Sequence, residues 1–241
     1  MFNVFFSKLK KRRVRKENAT RKVQLYCHKM NCKESGFLKE YRGSCMKYAI
    51  PLNNIPSPEV LNVGKIFIQL IGAKKILDIR SYLGLSTIAW SKALTSGGEI
   101  VAVDFNHSIR KEIEKNIDIS NDGDDSKNEV AITSIEEDPL MYLEKEASSP
   151  ENLERFDFIF INDDGKKYSK YYEQAMKLTM PGGVIIFNNV LSSGRVADSK
   201  TSDEEAIALR NLNTIISNDS RCNNILFNID DGLHIVFKHK H

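Results

Sequence analysis

The residues best placed for chemistry stand at the ends of short apolar runs. KKILDI (74–79) is followed by the loop 80–86, EIVAVD (99–104) closes on Asp104, and FDFIFI (156–161) leads into residues 162–168. If these runs are parallel strands, the three loops converge outside their carboxyl ends, where open α/β sheets bind ligands. A carboxylate ending the second strand can accept both hydroxyls of a ribose, which makes Asp104 a candidate binding residue. An Asp after a strand is also a common helix N-cap. Cys27, His28 and Cys32 are metal-ligand types, but their C-x4-C spacing is not that of a zinc knuckle and no second pair follows. His239 and His241 form no site.

Positioning those loops requires alternating strands and helices, and the chain supplies them. EVAIT (129–133) and VIIFN (184–188) read as two further buried strands beside the three above. Helices are expected from the loop 80–86 through about Leu94, over 108–119 behind a Ser N-cap, from Pro139 to Ala147, and to about Thr179. Residues 120–128 form a polar loop, and Pro181-Gly182-Gly183 reads as a hard stop. Five strands with crossover helices imply a mostly parallel sheet covered on both faces. After a helix at about 203–217, NNILFNI (223–229), the turn 230–232 and LHIVFK (233–238) make a hairpin, hence antiparallel strands at one edge. A Rossmann-like α/β sheet closed by such a hairpin is the architecture of class I methyltransferases rather than of a dehydrogenase.

Composition excludes several classes. The 241 residues include 35 basic and 32 acidic ones, net +3, and no apolar run approaches a membrane span. Residues 1–22 alone hold nine Lys/Arg against Glu17, or +8, so residues 23–241 carry −5. A mildly acidic body disfavours nucleic acid as its partner. The basic stretch has three readings: a solvated tail, a targeting segment with Phe2, Val4, Phe5, Phe6 and Leu9 as an apolar face, or a tether to RNA or an anionic membrane. Four cysteines give no disulfide framework, which fits reduced thiols in an intracellular protein, cytoplasmic or, with a targeting segment, mitochondrial.

Residues 56–238 resemble the cation-dependent O-methyltransferases of the caffeoyl-CoA and catechol type. The resemblance is carried by IPSPEVLNVGKIFIQLIGAKKILDIRSYLGLST, GGEIVAVDF, FDFIFINDDGKKYSKYYEQAMKLTMPGGVIIFNNVLSSGRVAD and RNLNTIISNDSR followed by DGLHIVFK. Beyond the basic tail or targeting segment at 1–22 read from its charge, it implies an N-terminal helical extension at 23–55 and a methyltransferase-like domain at 56–241. It also implies S-adenosylmethionine as cofactor, with Asp78, Gly84, Ser86, Asp104 and Asp164 on the matching positions. A homodimer or larger complex and, if the protein is active, a small hydroxylated acceptor follow from the same resemblance.

The departures from the pattern are as informative. Arg80 stands where the first glycine of the cofactor loop belongs, and Glu137-Asp138-Pro139 replaces Gly-x-Ala at the adenine subsite. The family's metal ligands, two Asp and an Asn, fall on Asn162, Asn188 and Asn189. Two lost carboxylates should remove most affinity for a hard divalent cation, so no metal is expected. The family's basic Lys falls on Gly165, leaving neighbouring Lys166 as a weak substitute, and Ser192 replaces an aromatic of the acceptor pocket. The expected function is a catalytically impaired methyltransferase-like subunit, scaffold or ligand-binding protein. The alternative is an active O-methyltransferase with a metal-free mechanism.

Overall fold

A computed structural model of the chain describes residues 22–23, 25–31, 34–46, 54–105 and 130–240. The chain divides into two compact units, Met1–Lys33 and Glu34–His241. In the first, residues 25–30 are helical. The expected helix at 108–119, the loop at 120–128 and nearly all of the basic stretch lie outside the described residues, as does Cys32. Cys27, Cys45 and Cys222 are free thiols.

The second unit is built on one seven-stranded sheet. Its strands are β1 (Lys75–Ile79), β2 (Glu99–Asp104), β3 (Ala131–Glu136), β4 (Phe156–Ile161), β5 (Thr179–Asn188), β6 (Cys222–Phe227) and β7 (Leu233–Lys238), in the spatial order β3-β2-β1-β4-β5-β7-β6. The first five are mutually parallel, and β7 runs antiparallel between β5 and the edge strand β6. Order reverses between β1 and β4, so the crevice at their carboxyl ends is the topological switch point.

Helices α1 (Gly36–Cys45), α2 (Pro58–Leu70), α3 (Leu85–Ser91), α4 (Pro139–Ser148), α5 (Tyr168–Leu178) and α6 (Glu204–Ser217) cover the sheet. One face buries Ile76, Phe158, Phe160, Val184 and Ile186 against α1, α2 and α3, with Trp90 at the centre. The other buries Leu77, Ile159, Ile161, Ile185 and Phe187 against α4, α5 and α6. Alternate residues of one strand thus feed two cores, the reason each central strand reads as a continuous apolar run. Within the stretch 23–55, α1 commits Leu38, Tyr41 and Cys45 to the first core.

Two expectations need correction. Pro181-Gly182-Gly183 does not end the preceding element before a strand begins; the strand starts at Thr179 and carries these residues as a bulge. Its pairing with β4 jumps from Phe156↔Thr179 to Phe158↔Val184, and Gly182 takes φ +83° in the gap. The irregular backbone tolerates Pro because bulged residues do not donate to the ladder. The third strand is displaced toward Glu136, pairing with β2 from Ala131 to Glu136. Its Ser134 and Glu136, beyond the expected end at Thr133, look like loop residues because it is an outer strand of the sheet, partly open to water.

Asp78 fixes the first loop to the sheet. It is fully buried on β1, and its Oδ2 accepts hydrogen bonds from the hydroxyls of Ser86 (2.8 Å) and Thr87 (2.7 Å) on α3. Its Oδ1 has no hydrogen-bond partner. Burial pushes its pKa up to about 7, the two hydroxyls opposing the rise and the Asp104 charge adding to it.

Two predictions follow from this packing. A Cβ on Gly64 would lie 2.3 Å from the Trp90 ring, which is wholly buried and has no room to move. Gly64→Ala should therefore lose about 2 kcal/mol, lowering the melting temperature by roughly 4–8 °C, even though Ala favours a helix. An unchanged melting curve would refute the clash. For Asp78 the folded pKa lies above the unfolded value of 3.8, so its contribution is present below that value and lost as pH rises through about 7. Across that window the native chain should lose on the order of 4 kcal/mol relative to Asp78→Asn. Urea midpoints of the two proteins that run parallel with pH would contradict this.

Candidate functional site

Loops after β1, β2 and β4 meet at the switch point, and Arg80 joins them. Its Nε lies 2.9 Å from Asp163 Oδ1 and its Nη1 3.3 Å from Asp104 Oδ1. The guanidinium also sits over the rings of Tyr82 (4.9 Å) and Phe105 (4.7 Å). Asp104 is further occupied: Oδ2 accepts from Tyr82 N–H at 2.9 Å, and Oδ1 accepts from Phe105 N–H at 2.7 Å. Burial raises the Asp104 pKa, and Arg80 with the two N–H groups opposes that rise. Burial also works against the charge on Arg80, but Tyr82, Asp163 and Asp104 together hold its pKa above the ordinary value. Three of the roughly four acceptor sites that a ribose diol could use are thus taken from within the chain.

Backbone conformation at this point is left-handed. Arg80 has φ +60° and Tyr82 φ +50°, the region where glycine is at ease and other L-residues lose about 1–2 kcal/mol each. The loop thus keeps a glycine-type backbone while bearing an arginine side chain. The ion pairs to Asp104 and Asp163 offset that strain. Asn189, Ser192 and Ser193 in the loop after β5 share the left-handed region, so five of the seven described non-glycine residues of positive φ lie in the loops after β1 and β5, with Glu154 and Asp230 elsewhere.

Asp163 is the second organiser. Its Oδ2 accepts from the Tyr171 hydroxyl, and its N–H donates to the Tyr168 hydroxyl (3.0 Å), which in turn donates to Asn188 O (3.0 Å). One residue earlier, Asn162 points to the other side of the chain, as alternation requires. Its Oδ1 accepts from Asn188 Nδ2 (3.0 Å) and Asn189 Nδ2 (3.2 Å), and its Nδ2 donates to Asn54 O (2.8 Å). Asn162 and Asn188 are buried. The three expected metal-ligand positions therefore meet, but as a network of amides.

That network does not fit a hard divalent cation. It carries no charge, and its shared oxygen already receives two N–H donors. Asn188 Oδ1 is buried and without a hydrogen-bond partner. Neutral amide oxygens of this kind fall far short of the six or more ligands, carboxylates among them, that Ca or Mg takes.

The other sequence candidates divide. Ser86 joins Asp78, as above, and Gly84 caps α3 with φ +78°. Asp164 faces solvent and caps the short 3-10 turn Gly165–Lys167, accepting from Lys166 N–H at 3.0 Å. Lys166 extends to Glu204 at 2.9 Å, both side chains exposed, and so lies outside the Arg80 and Asn162 networks. A Cβ at Gly165 would meet the Leu209 side chain at 2.9 Å, so α6 packs where a longer residue would stand. Ser192 is buried and accepts from Arg195 Nη2 at 2.8 Å. Sequence reasoning missed the roles of Asp163, Tyr82, Phe105 and Tyr171. Asp163 next to an amide at a strand end was a signal, but its partners are distant in the chain.

The comparisons agree with this geometry. A family model described as O-methyltransferase matches residues 28–239. The Probable caffeoyl-CoA O-methyltransferase 1 of Dictyostelium discoideum is 33% identical over 180 residues, 72% of this chain and 73% of that one. The Catechol O-methyltransferase of Niastella koreensis is 30% identical over 158 residues, 64% and 68% of the two chains. A crystal structure of an O-methyltransferase from Bacillus cereus in complex with SAH superposes with a TM-score of 0.73 at 26% identity, covering 90% of this chain and 97% of its own. With the fold, the switch-point crevice and these similarities in hand, the chain belongs to the O-methyltransferase family that includes caffeoyl-CoA and catechol enzymes.

Proposed function

We propose that this chain is a non-catalytic member of its family, a subunit, scaffold or ligand-binding protein whose cleft for an adenosyl ligand is held shut by Arg80. The observation that carries the reading is the amide triad Asn162, Asn188 and Asn189, in which N–H donors stand where cation chemistry needs carboxylates. Methyl transfer in the resembling enzymes relies on a metal to acidify the acceptor hydroxyl, and no step of that kind can be built on an Asn162 oxygen that already accepts from Asn188 and Asn189. Gly165 under Leu209 supplies no base in its stead.

S-adenosylmethionine does not fit the crevice in this arrangement, because both Asp104 oxygens are engaged and a guanidinium lies between Asp104 and Asp163. The acid itself is retained, which supports binding of an adenosyl ligand when Arg80 withdraws. In that state Asp104 would hold the ribose hydroxyls, and Phe105 and Tyr82 would offer the rings that Arg80 now covers.

Calorimetry with S-adenosylmethionine and S-adenosylhomocysteine tests the closed cleft. The native chain should bind weakly or not at all, and Arg80→Gly should gain about tenfold or more, since it removes the competitor and suits the left-handed backbone. Micromolar binding by the native chain, or no gain in the variant, would overturn the role given to Arg80.

Thermal unfolding with millimolar Mg or Ca tests the triad, because a ligand that binds only the folded state must raise stability. The native melting temperature should not move. Asn162→Asp with Asn188→Asp should destabilise the chain without cation, by burying two unpaired charges, and regain part of the loss as Ca is added. Cation-dependent methylation of a catechol by the native chain would contradict the proposed function outright.

A further inference from the structure

The sheet ends on two outer strands, β3 and β6, and their open edges are guarded differently. Natural edge strands carry Lys, Glu, Pro or a bulge that keeps other chains from pairing with them. β3 carries Glu136. β6 has none of these devices: it reads CNNILF and pairs with β7 in unbroken register from Cys222↔Lys238 to Phe227↔Leu233. Asn223 to Leu226 are exposed, Ile225 at 48% and Leu226 at 43%. Successive side chains point to opposite faces, so apolar groups stand in water on both sides of this edge. The end of α6 extends the surface. Asn224 Nδ2 donates to Ile216 O at 3.1 Å, tying strand to helix, and Ile215 beside it is 41% exposed. Residues 211–218 and 222–229, drawn from these two elements, contain no Asp, Glu, Lys or Arg, in a chain of which 28% is charged. Depletion of charge is the compositional mark of an interface core. The charges gather instead at the two ends of β6, Arg221 before it and Asp230 and Asp231 after it.

We infer that β6 pairs antiparallel with β6 of a second copy of this chain, joining two sheets across a two-fold axis. Charge complementarity selects this occupant: antiparallel pairing brings the basic end of each β6 beside the acidic end of the other. Arg221 is bound to Asp219 at 2.5 Å with its side chain half exposed, so its fork can take a second carboxylate. A two-fold axis perpendicular to the sheet keeps each face on its own side, so directly opposed residues must both be odd-numbered or both even-numbered. The register centred on Leu226 sets Leu226 against its own copy, Ile225 against Phe227, Asn224 against Asn228 and Arg221 against Asp231. Centring on Ile225 would oppose Asn224 to Leu226 and Asn223 to Phe227, and centring on Asn224 would oppose Arg221 to Phe227. Of the three, only the first matches apolar with apolar and cation with anion, the cross-strand pairs that stabilise antiparallel strands. Both copies of α6 then lie on one face of the joined sheet. The contact is self-complementary and closes, leaving neither β6 edge open to a third chain.

The experiment is sedimentation equilibrium of the full chain at concentrations up to about 50 µM, where a micromolar dimer is largely assembled. The native chain should be dimeric at the upper end. Leu226→Lys sets two ammonium groups against each other on the axis and should weaken association by about tenfold or more. Ile66→Lys, at an apolar residue of α2 that is 57% exposed, should stay within about twofold of the native chain. Arg221→Glu alone and Asp231→Lys alone should each weaken the dimer about fivefold. The two changes in one chain should bring it back to within about twofold of the native value, because damage within each chain adds whereas a pair between chains is restored. Circular dichroism and melting curves, taken at a dilution where the native chain is monomeric, separate lost pairing from lost folding. A native chain that stays monomeric at about 50 µM would overturn the inference. So would a Leu226→Lys dimer as tight as the native one, or a double reversal weaker than either single one. None of these variants alters the Arg80 cleft, so the two readings stand or fall separately.

Discussion

Everything at the switch point depends on one cation. Arg80 holds Asp104 from β2 and Asp163 from the end of β4, and through Asp163 it reaches Tyr171 on α5. Two largely buried carboxylates side by side would repel each other and each lose hydration; the guanidinium between them forms an ion pair with both. The arrangement tolerates a left-handed arginine because the alternative, two unpaired buried charges, costs several kcal/mol. Here that carboxylate at the end of β2 is paired within the chain, with Arg80 and two backbone N–H groups.

The amide triad obeys the same accounting of charge. A site made to hold a dication by carboxylates must be filled or it repels itself, whereas Asn188 and Asn189 both donate to Asn162 Oδ1 at no net charge, with Asn188 Oδ1 left unpartnered. Both networks are joined through residues adjacent on one strand end: Asn162 turns to the amides, and Asp163 turns to Arg80. Tyr168 ties them together, accepting from Asp163 N–H and donating to Asn188 O. The end of β4 is thereby held on both sides without metal or cofactor. Such an uncharged network needs no ion to balance it, which is what the proposed non-catalytic role would require.

Much of the fold was legible because the central strands are buried on both faces. FDFIFI and LHIVFK are read to the residue, since both faces meet a core and the apolar run in each is broken only by Asp157, His234 and the terminal Lys238. The edge strand β3 was misplaced because one side of it meets water and admits Thr, Ser and Glu. Pro181-Gly182-Gly183 misled because a bulge and a chain break use the same residues. At the site, Arg80 and the three Asn could be located by position against the family pattern. What those residues do could not, because Arg80 and Asp163 are joined only by the pairing of β1 with β4, and Gly165 only by the packing of Leu209 from α6.

The central claim is that Arg80 and Asp163 stabilise each other as a buried pair that closes the cleft. A double-mutant cycle with Arg80→Met, Asp163→Asn and the double variant, read by urea unfolding at neutral pH, isolates that interaction from the strain and packing each side chain carries alone. The account predicts a coupling of about 2 kcal/mol or more, with the double variant more stable than the sum of the single losses implies. A coupling within about 0.3 kcal/mol of zero would show that the two side chains act independently and that Arg80 does not hold the cleft shut.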